Sequence, residues 1–170
     1  MYSGFARPSS IVAVFQKDPL GYPGALAKTP SIWFNEQKAK KAPRWELLPG
    51  KYKIRFRPLI PVGGFEIRRE CNGHPGIAGL INHLNSAKSN PEMYEVKIDF
   101  DAEAGKKYHL SYRWIGDKDF YLRLNILSED KSDILASVES HHFNLLGAKV
   151  SAANDPGNVD NFYLTFYGCN

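Results

Sequence analysis

Hydrophobic and polar residues alternate one by one along five separate stretches of the chain. In the clearest stretch, 51–57, Tyr52, Ile54 and Phe56 alternate with lysines and arginines. Strict alternation over several residues puts every second side chain on one face, which is typical of a half-buried β-strand. The other four stretches are rich in aromatic and apolar residues and lie at 94–100, 106–114, 120–126 and 161–167. The pattern predicts an all-β protein.

Further strands and the turns between them complete the predicted architecture. Residues 11–15 are apolar on both faces, which predicts a central strand that is covered on both sides. Short strands are expected near 31–35, 43–48 and 134–139. Pro-Gly, Gly-Asp and Ser-Glu-Asp sequences separate the strands, as turns require. We therefore expect an antiparallel two-sheet β-sandwich of the immunoglobulin-like or transthyretin-like kind.

A Pro/Gly-rich excursion at about 59–92 interrupts the strand pattern. Within it, apolar residues recur at helical spacing from Ile77 to Leu84, and Pro75 fits the first turn of a helix. We interpret the excursion as an insertion between two strands of the sandwich that carries one short helix.

The composition fits one globular domain that spans residues 1–170. The chain is 43% hydrophobic and 24% charged, and it contains ten Phe, nine Tyr and three Trp. So many aromatic residues argue against a disordered chain. The side chains expected in the core share the inner face of the strands: Tyr52, Ile54, Phe56, Val96, Ile98, Tyr108, Leu110, Leu122 and Leu124.

The net charge of +4 is mild, but basic residues concentrate on the outer face of the strand at 51–57. They are Lys51, Lys53, Arg55 and Arg57. One interpretation, which we favour, is a solvated strand face whose charges pair with Glu95 and Asp99 on a neighbouring strand. The alternative is a surface for an anionic partner. Nucleic acid is not expected there, because Tyr52 and Phe56 point inward and leave that face without rings to stack on bases.

Three tyrosines fall opposite the core-facing residues of their strands: Tyr121, Tyr163 and Tyr167. Exposed tyrosines offer a large contact area at low entropic cost, so they are candidates for a protein-binding surface. They fit equally well beneath the excursion at 59–92. Both interpretations stay open.

Catalytic chemistry finds little support in the sequence. Histidines occur at 74, 83, 109, 141 and 142, but no Gly-x-Ser-x-Gly elbow accompanies them. Cys71 lies near His74, so a small hydrolase that uses Cys71 or a histidine is an alternative. Ordinary polar loop residues explain the same pair more simply. We expect no catalytic residues and no cofactor.

Metal binding is also not expected. His141 and His142 are adjacent, so in a strand they would point to opposite faces. Asp155, Asn158 and Asp160 offer the oxygen ligands that calcium prefers, but the twelve-residue loop of an EF-hand is absent. Asn, Asp, Pro and Gly together more often form a plain turn.

Two segments resemble a pair of strands in bacterial envelope lipoproteins. Residues 45–56 contain the Leu-Pro-Gly-Lys-Tyr turn of that family, and residues 96–110 contain its acidic-Ala-Gly-Lys-x-Tyr turn. The start, 2–15, is similar to the segment after the lipidated cysteine, although Met1 stands near the place of that cysteine. The resemblance implies a non-enzymatic periplasmic domain, anchored by lipid only in a full-length form. Its expected partner is another envelope protein or an anionic envelope component.

The two cysteines, Cys71 and Cys169, fit one disulfide bridge or two unrelated thiols. If the resemblance holds, the domain matures outside the cytoplasm, where bridges persist. The resemblance therefore implies a Cys71–Cys169 disulfide that ties down the chain end. A cytoplasmic or phage-like structural protein without a lipid anchor is the remaining alternative.

Overall fold

The computed structural model is an all-β two-sheet sandwich with one α-helix, as the alternation pattern predicted. It describes residues 12–17, 30–58, 65–67, 75–116, 118–145, 148–152 and 162–166. The elements in the first half are β1 (Ala13–Lys17), β2 (Ser31–Phe34), β3 (Gln37–Lys38), β4 (Arg44–Leu47), β5 (Gly50–Arg57), β6 (Phe65–Ile67) and α1 (Pro75–Ser89). Those in the second half are β7 (Val96–Ala102), β8 (Lys107–Gly116), β9 (Asp119–Leu127), β10 (Ile134–Glu139), β11 (Phe143–Asn144), β12 (Ala148–Ala152) and β13 (Phe162–Phe166).

The two main sheets enclose the core. One has six strands in the order β10-β9-β8-β1-β4, with β11 beside β9, and the other has four in the order β3-β2-β5-β7. Pairing is antiparallel except between β1 and β8, which run parallel. Ile54 and Leu124 are fully buried between the sheets, and Phe56 is 1% exposed. Every residue expected in the core is buried except Tyr52, which is half-buried.

Residues 12–15, at the start of β1, are covered on both faces, which confirms the prediction from their apolar sequence. Val12, Ala13, Val14 and Phe15 are each at most 2% exposed. The Phe15 ring lies 5.0 Å from that of Tyr108, at the centre of an aromatic cluster in the core. Coverage on both faces explains the apolar composition of residues 12–15, and the strand becomes polar at Gln16, which is exposed.

A third, smaller sheet contains β12, β13 and β6 in that order. Strand β13 accounts for most of the stretch expected to form a strand at 161–167. It pairs antiparallel with β12 and parallel with β6. Strand β13, the last one among the described residues, therefore belongs to neither of the two main sheets.

Helix α1 begins at Pro75, as expected, but continues to Ser89 and is longer than its apolar pattern suggested. It packs on the sandwich through a second buried cluster formed by Leu80, Leu84, Ala87, Tyr94, Phe120 and Leu145. Within the described residues, no helix is both long enough and apolar enough to cross a membrane.

A short 3₁₀ helix at Pro91–Tyr94 corrects the expectation that a strand begins at residue 94. The backbone N–H groups of Met93 and Glu95 bond to the carbonyls of Asn90 and Glu92, which makes tight turns instead of a ladder. Strand β7 therefore begins at Val96, and Tyr94 is fully buried beneath α1 instead of in the main core.

The two turns that carry the lipoprotein resemblance are corners where the chain passes from one main sheet to the other. One lies between β4 and β5, and the other between β7 and β8. Gly50 has a φ of 141° and Gly105 a φ of 76°, values that favour glycine. The interpretation of these glycines as turn residues is confirmed.

Candidate functional site

The outer face of the four-stranded sheet gathers the predicted basic residues. Lys51 and Lys53 are exposed, whereas Arg55 and Arg57 are half-buried. All four belong to β5, where their side chains alternate with the buried Ile54 and Phe56. This face is the candidate site.

Arg57 is neutralised by carboxylates at one end of the face. It donates to Glu95 from Nε at 2.9 Å and from Nη2 at 2.7 Å, and to Glu92 from Nη2 at 2.9 Å. Arg55 Nη1 lies 3.9 Å from the other Glu95 oxygen. The Glu95 side chain is 9% exposed, so the 3₁₀ helix holds a nearly buried carboxylate against this end. The expected pairing with Glu95 is confirmed.

Trp33 lies between two cations at the centre of the face. The register places Trp33 of β2 opposite Lys38 of β3 on one side and Arg55 of β5 on the other. The Arg55 guanidinium carbon lies 4.2 Å from the ring centre, and Lys38 Nζ lies 5.4 Å from it. These are cation–π distances, and Arg57 adds a third cation at 5.3 Å. We call Lys38, Trp33 and Arg55 the cationic row.

The β2–β3 hairpin determines this arrangement. Asn35 has a φ of 55°, a left-handed value that Asn tolerates better than most residues, and it opens a two-residue turn. Its side-chain oxygen accepts a 2.8 Å hydrogen bond from the Lys53 backbone N–H, which ties the hairpin to β5. Lys38 is thereby returned beside Trp33.

Trp33 was not among the site residues predicted from the sequence. A usable signal existed, because Trp33 stands between Ile32 and Phe34, which are both buried, and so must face outward. The missing information was the pairing of β2 with β5. Without it, the tryptophan could not be assigned to the basic face.

Two lysines at the other end of the face, Lys51 and Lys53, are exposed to solvent. Lys53 faces Asp99 across the sheet, and Lys51 faces Asp101. Within the described part of the chain, neither lysine forms an ion pair within 4.0 Å. Lys53 and Asp99 are therefore opposite each other in the register, as expected, but they form no ion pair. The face is neutralised at Arg57, and at the other end each lysine faces one aspartate. The excess positive charge therefore lies around Arg55, which is opposite Lys97 in the register.

Tyr121 is covered by an imidazole. Its ring stacks on His142 with centroids 3.9 Å apart, and its hydroxyl accepts a 2.9 Å hydrogen bond from Arg123. Arg123 also pairs with Glu139, and this hydrogen bond lowers the pKa of Glu139. Tyr121 is thus part of a polar network on the six-stranded sheet and is half-buried.

Of the other two tyrosines, only Tyr163 lies in a described strand, and that strand is in a different sheet from Tyr121. Tyr163 belongs to β13 in the three-stranded sheet, and its side chain lies outside the described residues. Tyr167 lies outside the described residues altogether. The protein-binding surface built on the three tyrosines stays a prediction.

His142 bridges two carboxylates without forming a metal site. Its Nδ1 lies 3.5 Å from Asp119 and its Nε2 lies 3.0 Å from Glu139. The two ring nitrogens point in opposite directions, so the carboxylates cannot converge with either one on a single ion. No group of three metal-ligating side chains is found in the part of the chain that the structure describes.

Two other described histidines, His83 and His109, make contacts that hold the fold together. His83 stacks on Phe143 at 4.1 Å and shares a hydrogen bond with the Tyr94 hydroxyl. Burial lowers the pKa of His83, the proximity of His141 lowers it further, and burial raises the pKa of Tyr94. His109 Nε2 lies 3.1 Å from the Glu129 carbonyl oxygen.

None of these imidazoles, among the described residues, has a hydrogen bond to a serine or cysteine side chain. The predicted Cys71, Cys169 and His74 lie outside the described residues, as does the turn at 155–160. The hydrolase that would use Cys71 stays a prediction.

An open cleft of about 450 Å³ lies beside the hairpin. Phe34, Leu47, Leu48 and Tyr52 form its apolar wall, and the Tyr52 hydroxyl donates a 2.8 Å hydrogen bond to the Leu48 carbonyl. Burial raises the pKa of Tyr52, so this hydroxyl keeps its proton at neutral pH. The half-buried position of Tyr52 follows from its place at this cleft.

Comparisons with known proteins add no relative. No protein-family model, no curated protein and no solved structure matches the chain significantly. The geometry of the basic face and the sequence motifs are therefore the observations that bear on function.

Proposed function

We propose that this protein is a non-enzymatic binding module of the bacterial envelope that holds an anionic macromolecule on the basic face. The partner that suits this face best is a phosphate-bearing polymer or glycan. Lys38, Arg55, Lys53 and Lys51 would contact its anionic groups, and Trp33 would position the guanidinium of Arg55.

The observation that carries the proposal is the cationic row. A ring 4.2 Å from a guanidinium restricts that long side chain, so less entropy is lost when Arg55 binds an anion. A purely solvated strand face has no need of a large aromatic residue between two cations. Arginine also matches phosphate oxygens with a planar pair of donors, whereas lysine acts as a point charge.

The same geometry disfavours nucleic-acid bases as the recognised groups. Base stacking needs an aromatic face that is open to the ligand. Three cations lie within 5.4 Å of the Trp33 ring centre, so this ring is already occupied. The expectation that this face has no aromatic ring is wrong, because Trp33 lies on it. With that ring held between cations, the feature that the face would recognise is charge, and nucleic acid remains unexpected.

The envelope assignment is supported by the two corner motifs. The glycines of both motifs adopt positive φ values at sheet-to-sheet corners, and Gly50 lies directly opposite Ala102 in the register. We extend the proposal to a periplasmic location, with a lipid anchor in the full-length form. A Cys71–Cys169 disulfide belongs to the same proposal.

Binding to inorganic polyphosphate tests the proposed function. Fluorescence anisotropy would compare labelled polyphosphate with polyglutamate and with single-stranded oligothymidylate of equal charge. We expect polyphosphate to bind most tightly. Trp33→Leu should weaken this binding, because Arg55 loses its support. Lys118→Ala, which removes an exposed lysine on the β8–β9 turn, is the matched control and should leave binding unchanged.

Tighter binding of oligothymidylate than of polyphosphate would assign the face to nucleic acid and overturn the proposal. Equal weakening by Lys118→Ala and by a substitution in the cationic row would reduce the interaction to net charge. Either result contradicts a specific site on this face.

A further inference from the structure

A second surface, at the start of β10, combines two exposed aliphatic side chains with an acidic cleft. Ile134 is 62% exposed and Leu135 is 47% exposed. In the described part of the chain, Leu48 is the single other large aliphatic residue with comparable exposure. Neighbouring exposed aliphatic residues are a common mark of an interaction site.

A β-bulge creates this pair. Between Ile134 and Ala136 the register advances two residues on β10 but one residue on β9, so Leu135 is the extra residue. In a regular strand, neighbouring side chains point to opposite faces, and one of the two would be buried. The bulge presents both to solvent. Bulges often re-aim side chains at sheet edges, and β10 ends the six-stranded sheet.

Leu135 also lines an open cleft of about 580 Å³ between the β7–β8 and β9–β10 turns. Four acids line it, Glu103, Glu129, Asp130 and Asp133, against the two lysines 106 and 107. Lys107 is paired with Glu129, so the cleft keeps an excess of negative charge. The whole chain, in contrast, carries a net charge of +4.

The carboxylate of Asp130 carries its negative charge at all physiological pH values. Hydrogen bonds from Ser128 and Ser132 lower the pKa of Asp130 to about 2. The Ser128 hydroxyl donates at 2.5 Å, and the Ser132 backbone N–H donates at 3.1 Å. The turn is thus a rigid carrier of negative charge beside the aliphatic pair.

We propose that this surface docks a protein segment of opposite charge, in which basic residues alternate with apolar ones. The apolar side chains would cover Ile134 and Leu135, and the basic ones would enter the acidic cleft. An extended segment fits best, because within the described residues the outer edge of β10 has no strand paired with it.

A defined peptide probe tests this proposal. The probe is a short synthetic peptide in which lysine alternates with valine, and two counterparts carry glutamate for lysine or serine for valine. Fluorescence anisotropy against the full chain should show saturable binding of the first peptide and none of the other two. Leu135→Ser should weaken binding by about three- to tenfold, the effect expected for partial burial of a leucine. Asp133→Asn should weaken it and reduce its salt dependence.

Two matched variants serve as controls. Leu48→Ser removes another leucine that is 55% exposed, and Glu36→Gln removes an exposed acid on the β2–β3 turn. Both should leave binding unchanged. Equal binding of the glutamate peptide, or no effect of Leu135→Ser, would overturn the proposal. Concentration-dependent self-association that Leu135→Ser abolishes would also overturn it, because the occupant would then be a second copy of this chain.

Discussion

The guanidinium carbon of Arg55 lies 4.2 Å from the centre of the Trp33 ring, on the outer face of the four-stranded sheet. Two residues along β5, Arg57 donates to Glu95 at 2.7 Å. The two arginines point to the same face but have different surroundings. Arg57 is compensated by a carboxylate, whereas Arg55 is mainly supported by an aromatic ring. This difference places the centre of the candidate binding surface at Arg55 and at Lys38, which contacts the same ring.

The buried side chains of β5 should contribute more to the stability of the fold than exposed ones do. Ile54 has no exposed surface, so Ile54→Ala removes buried methyl groups and leaves a cavity. We expect a loss of about 2–5 kcal/mol in the free energy of unfolding, measured by urea denaturation. Ile134→Ala is the matched control. Ile134 is 62% exposed, so its substitution should change stability by less than about 0.5 kcal/mol. Similar losses in both variants would contradict the assignment of the core.

Two glycine substitutions should have opposite effects. Gly50 has a φ of 141°, and a Cβ there would meet nothing within 4 Å, so the conformation alone requires glycine. Gly50→Ala should destabilise by about 1–3 kcal/mol. Gly79 lies inside α1, and its Cβ would meet Phe143 at an ordinary 3.8 Å. Gly79→Ala should stabilise by about 0.5–1 kcal/mol. Thermal denaturation of both variants checks the prediction, and two changes of the same sign would contradict it.

Acid should weaken the docking of α1 through His83. Burial and His141 hold the pKa of His83 below its ordinary value, so as pH falls the unfolded chain takes up this proton first. The contribution is therefore fully present above about pH 6.5 and is lost on acidification. Between pH 7.5 and 5.5, we expect the free energy of unfolding to fall less in His83→Gln than in the natural chain. Equal losses in urea titrations at the two pH values would refute this role.

The cysteines allow a simple chemical check of the envelope proposal. We expect Cys71 and Cys169 to be bridged in the native protein. Thiol titration of freshly purified protein, denatured without reductant, should then detect no reactive thiol. Two reactive thiols per chain would exclude the bridge and remove one support for maturation outside the cytoplasm.

The sequence was most informative where a local pattern determines the outcome. Alternation at 51–57 correctly separated the buried Ile54 from the exposed Lys53, and the apolar run at 11–15 correctly indicated a doubly covered strand. Positive φ at Gly50 and Gly105 also followed from local turn chemistry. Each of these features depends on residues that are close together in the chain.

Features that depend on long-range pairing could not be predicted. Trp33 joins the basic face because β2 pairs with β5, and Tyr121 is covered because the chain returns His142 to it after β10. Tyr94 was assigned to a strand because alternation continues through it. Tertiary packing beneath α1 and the turn after Pro91 override that pattern. Register between distant segments is absent from any local pattern.

The salt dependence of polyphosphate binding tests the central claim most directly, because released counterions report how many cations contact the polymer. We expect the logarithm of the binding constant to fall linearly with the logarithm of salt concentration. Lys53→Ala should reduce the steepness of that line by about 0.7 to 1, and Lys118→Ala should leave it unchanged. Binding whose steepness is the same in the natural chain and in Lys53→Ala would contradict a phosphate-binding surface on the basic face.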